Sequence, residues 1–119
     1  MGYELRVERE SPLAFAEVAK AITPAGFELR DTGEIVARHV DGARPVANWR
    51  DRVVGEPGSD WEVAQLVRLS AVLGGRLMGE DGELYTLRDG VIELVSGGDA
   101  MVIGKFDEII QAGPAAWSR

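Results

Sequence analysis

The side chains that could do chemistry in this chain are few, and their spacing assembles little. The densest acidic run is Gly79-Glu80-Asp81-Gly82-Glu83. Its carboxylates are oxygen ligands of the kind a hard cation takes. The spacing lacks the alternation of a calcium-binding loop, and Gly and Asp are turn formers that keep nearby carboxylates solvated. The run therefore reads as a turn, and no metal site or cofactor is expected. His39 is the lone imidazole, on one strand face with Ile35 and Ala37. Asp41 or Glu34 could orient it as a general base. No serine or threonine is placed as its nucleophile partner, so a strand-end histidine without a catalytic role is the better reading. None of the serines stands in a G-x-S-x-G elbow. Gly74-Gly75 and Gly97-Gly98 lack the Lys and Ser/Thr of a phosphate loop.

Residues 44–52 have the most unusual composition. Arg44, Arg50 and Arg52 accompany Trp49, with Asp51 the one acid among them, and Trp61 follows shortly after. Trp and Arg are the residues most enriched at interface hot spots, and a guanidinium can stack on an indole. Trp49, Arg50, Arg52 and Trp61 are thus the candidate partner-binding residues. The competing reading is a core tryptophan with arginines bonded to the protein's own acids. Trp117 is equally open between docked anchor and exposed contact.

Composition narrows the classes. The chain has 119 residues, 45% hydrophobic, and no cysteine. That is one ordinary domain, 1–119, with core enough to fold. Disulfides, thiolate nucleophiles and cysteine-based zinc sites are excluded. The net charge of −7 opposes nucleic acid and anionic lipid and favours a basic partner. Met1 to Arg6 is charged and lacks an apolar run, so neither a signal peptide nor a membrane anchor is expected, and a cytoplasmic location fits. The preference for Arg over Lys, with many Ala, Gly and Val, suggests a GC-rich bacterial source.

The elements follow from periodicity. Tyr3 to Glu8 alternates as a strand. Ser11-Pro12 has the chemistry of a helix start, and Phe15, Val18, Ala19 and Ile22 form a buried stripe that Pro24 and Gly26 end. Phe27 to Asp31 and Glu34 to Val40 read as strands about Thr32-Gly33, and Asp41-Gly42 as a turn. In 43–54, Pro45 argues for an edge strand or a loop. Gly55-Glu56-Pro57-Gly58 is the seam between halves of about 1–55 and 56–119. Ser59 and Glu62 form a capping box for a nearly all-apolar helix to about Leu73, with Glu62, Gln65 and Arg68 as its polar stripe. Arg76 to Met78, Glu83 to Arg88 and Val91 to Val95 are strands. A last helix is expected within Asp99 to Ala112, with Met101-Val102-Ile103 a strand in the alternative.

The two halves also repeat one another. Residues 25–35 overlay 74–84, matching Gly26 with Gly75, Gly33 with Gly82 and Glu34 with Glu83. The expected fold is α+β: an antiparallel sheet of about six strands, two to three helices packed mainly on one face, and an internal helix-hairpin pseudo-repeat. The expected function is a non-catalytic protein-interaction domain, similar in size and charge, with no shared motif, to toxin-neutralising immunity proteins. The alternative is a small-molecule binder or enzyme with its pocket between the halves, drawing polar groups from His39, Glu34, Glu83 and Arg88. The two readings predict different surfaces. An interaction domain exposes an apolar patch at Trp49, whereas a ligand binder has a concave, mostly apolar cavity with a few polar groups.

Overall fold

A computed structural model describes residues 3–39 and 42–114, with His39 described by its backbone alone. The element order is β1 (Leu5–Glu8), α1 (Phe15–Ile22), β2 (Phe27–Leu29), β3 (Glu34–His39), β4 (Gly42–Trp49), β5 (Val53–Gly55), α2 (Asp60–Leu73), β6 (Arg76–Gly79), β7 (Leu84–Arg88), β8 (Val91–Ser96), β9 (Asp99–Lys105) and α3 (Phe106–Ala112). The class is α+β, and the strands form one antiparallel sheet in the order β2-β3-β4-β5-β1-β6-β7-β8-β9. Nine described strands replace the expected six.

The excess comes from two segments whose local signals were mixed. Residues 43–54 are β4 and β5, and β4 lies inside the sheet between β3 and β5. Pro45 is tolerated there because the register shifts between Ile35 and Val36, which pair with Ala47 and Pro45. A bulge of this kind accommodates a residue that cannot donate to the ladder. The second segment is β9, where the strand alternative for Met101-Val102-Ile103 holds and runs over Asp99–Lys105 in place of a helix. Gly97 and Gly98 both take positive φ (56° and 92°), which closes a two-residue reversal and pairs Asp99 with Ser96. Helix begins only at Phe106.

β1 is the middle strand, with β5 on one side and β6 on the other. Its alternation buries Leu5 and Val7 and leaves Arg6 and Glu8 half-buried. α2 packs on α1, α3 and strands β1, β4, β6 and β7. Ser59 caps it, its Oγ accepting the Glu62 N–H at 3.2 Å. Gln65 does not lie on a wet stripe; it is buried, with Arg68 donating to it at 2.7 Å. Arg68 also donates to the Ala25 carbonyl at 2.6 Å and stacks 4.8 Å from the Phe27 ring, which ties α2 to the start of β2.

α1 starts later than its sequence signals suggest. Ser11 is not the cap. The Glu17 carboxylate accepts the Ala14 N–H at 2.9 Å, and residues 9–14 form a lead-in whose Ser11 carbonyl is taken by Arg9. The two matched turns share a hydrogen-bond pattern. Arg30 donates to the Glu34 carbonyl at 2.9 Å and Gly33 to that of Arg30 at 2.8 Å; Gly79 donates to Glu83 at 3.0 Å and Gly82 to Gly79 at 3.1 Å. Asp41 and Trp117 lie outside the described residues.

Candidate functional site

The sharpest local geometry is the β4–β5 turn. Trp49 pairs with Val53, and its amide donates to the Gly33 carbonyl at 2.7 Å. Arg50 donates to the Arg52 carbonyl at 2.8 Å, closing the reversal over Asp51. Asp51 has φ 63°, a left-handed conformation that Asp tolerates better than most residues. The turn sets the Trp49 ring against α1, where Phe15 meets it at 90° with centroids 5.6 Å apart. An edge-to-face pair of this kind contributes about 0.5–1.5 kcal/mol beyond area burial.

A cavity of about 380 Å³ opens beside this pair. Its apolar wall is Val7, Pro12, Leu13, Val18, Val53 and Leu73, together with the Trp49 ring. Its polar groups are Glu8, Arg9, Asp51 and Arg52. Glu8 is engaged: it pairs with Arg6 and accepts from Arg52 at 2.7 Å. The hydrogen bond from Arg6, helped by the Arg52 charge and opposed by desolvation, holds its carboxyl below the ordinary range. Two other groups are not engaged. The Nε of Arg9 and the Nε1 of Trp49 are buried with no hydrogen-bond partner among the described residues. A buried donor left unpaired costs about 1–3 kcal/mol, and both donors belong to residues that line this one cavity.

The expected partner strip is not one surface. Trp61 is only 2% exposed and lies in the core, because the first turn of α2, capped by Ser59, faces inward against the sheet. Arg50 is exposed but lines a separate polar hollow of about 310 Å³ with Glu4, Glu56 and Glu62. Only Trp49, half-buried, and Arg52, exposed, share the cavity.

Among the alternative ligand residues, the described side chains of Glu34, Glu83 and Arg88 do not converge. Glu34 is paired with Arg30 at 3.0 Å and Arg88 with Glu93 at 3.3 Å. Glu83 accepts the Tyr3 hydroxyl at 2.5 Å, and desolvation together with that bond pushes the Tyr3 phenol up to about 12. Glu34 opens β3 and Glu83 precedes β7, five strand steps apart in the sheet order. At about 4.8 Å per step that is roughly 24 Å. His39 pairs with Gly42 through its backbone, and its side chain lies outside the described residues. The cavity draws only Leu73 from the second half, so it does not lie between the halves. Arg9, Leu13 and Phe15 were missed because nothing local marks them: a strand end, a proline-flanked lead-in and a stripe position carry no chemical motif.

Among the described residues no group of three or more His, Asp or Glu is placed to hold a metal ion, and no helix is long and apolar enough to cross a membrane. The chain matches no family model, no curated protein and no solved structure.

Proposed function

We propose that this protein binds a small molecule in the cavity beside Trp49. The observation that carries the reading is the lining itself: a largely apolar, concave wall with a few polar groups, about 380 Å³ in volume. Small-molecule sites have this make-up and fall at about 300–1,000 Å³. Loss of Trp61 to the core weakens the rival surface around Trp49.

A filling substitution tests it. Leu13→Trp places an indole in the cavity from a partly buried position at its edge. In a thermal-shift screen of metabolites, compounds that raise the Tm of the natural protein are expected to leave the variant unmoved. Equal shifts in both would place binding elsewhere.

The second reading, contact with a protein partner of basic character, draws on a different feature. β9 is a sheet edge whose Met101 and Val102 are 60% and 62% exposed. Exposed apolar side chains on an unpaired strand are a common basis for strand addition.

A further inference from the structure

We infer that the ligand of this cavity is a small carboxylate on a compact apolar body, with its oxygens taken by the Nε of Arg9 and the Nε1 of Trp49, an inference that rests on the cavity being the binding site. Among the described residues, the buried side-chain polar atoms without a partner are these two, and both are donors. What these two lining residues lack is therefore an acceptor. Its charge follows from the neighbouring ions. Glu8 is taken up by Arg6 and Arg52, and those bonds keep it from serving Arg9. Arg9 donates through its terminal nitrogen to the Ser11 carbonyl and makes no ion pair among the described residues. Asp51 also lines the cavity, but it is exposed at the turn, where solvent screens its repulsion. An anionic acceptor gains a charge-assisted hydrogen bond from Arg9 that a neutral oxygen does not. The rest of the wall is apolar and takes the hydrocarbon body. Both nitrogens are closed to solvent, so the contact forms as the Arg9 chain and the half-buried Trp49 ring shift to admit the ligand.

The test is calorimetric titration of the full chain with benzoate, phenylacetate, hexanoate and octanoate, set against the corresponding alcohols and amines. At least one carboxylate should bind, and its alcohol and amine should bind at least about tenfold more weakly, one charged hydrogen bond being worth that factor. Trp49→Phe keeps a ring and removes the N–H; Arg9→Gln removes the charge. Each should weaken the carboxylate by about tenfold or more and the alcohol by less, with Tm recorded to confirm folding. Arg9→Lys, which restores the charge without Nε, should recover only part of the loss. If alcohols or amines bind as well as carboxylates and Leu13→Trp removes them, the cavity stands and the carboxylate is wrong. A carboxylate that binds Leu13→Trp unchanged overturns the cavity as well. Absence of binding by every carboxylate overturns the inference.

Discussion

At Glu8 one carboxylate in the lining of the cavity is shared by two guanidiniums, those of Arg6 and Arg52. Its folded-state pKa lies below the ordinary 4.5, so the pair stabilises the fold above that value and stops doing so as pH falls through the folded pKa. Urea unfolding from neutral pH into the acid range should show the natural protein losing stability below about pH 4.5. Glu8→Gln should start lower at neutral pH and fall less steeply; identical slopes would mean that Glu8 contributes nothing to the acid limb. The two described tryptophans show why such sites were only partly legible. Trp49 and Trp61 share the same sequence signal, an aromatic near arginines or at a helix start. Their fates are set by which face of β4 and of α2 meets the core, a tertiary fact. Arg9 carried no signal at all, since an unpaired donor is defined by what fails to reach it.

Elements were legible wherever local chemistry and periodicity agreed. The hairpin about Thr32-Gly33, the cap at Ser59 and the turn at Asp89-Gly90 all lie where the residues place them. β4 and β9 carry competing local signals: Pro45 argues for an edge strand or a loop, and the Val102, Phe106, Ile109, Ile110 spacing argues for a helix against the strand reading of Met101-Val102-Ile103. The two sheet edges differ. β2 is three residues long, a form natural edges take to avoid unwanted pairing. β9 is seven residues, mostly exposed, with Met101 and Val102 uncovered. A charge placed there should act as a gatekeeper. Val102→Lys should change stability by no more than about 0.5 kcal/mol and slow aggregation on mild heating, followed by light scattering. Unchanged aggregation would show that this edge is already protected, and the partner reading based on it would lose its support.

The whole molecule hangs on β1. The hairpin repeat suggested two halves joined at Gly55 to Gly58, but within the sheet the halves meet at β1, which pairs with β5 by Leu5–Gly55 and with β6 by Leu5–Gly79. Leu5 is buried at this join. Leu5→Ala should cost about 2–5 kcal/mol in a single urea transition that both halves share; two separated transitions would mean that the halves fold independently. The sequence shows β1 as a strand and cannot show where it goes, because its partners lie far along the chain. The order of synthesis sharpens this. β1 is made before both of its partners, β5 and then β6, so its β6-facing edge stays open until Arg76 to Gly79 follow. A peptide copying residues 3–10, supplied during refolding, would compete for the place between β5 and β6 and act as a decoy for β1.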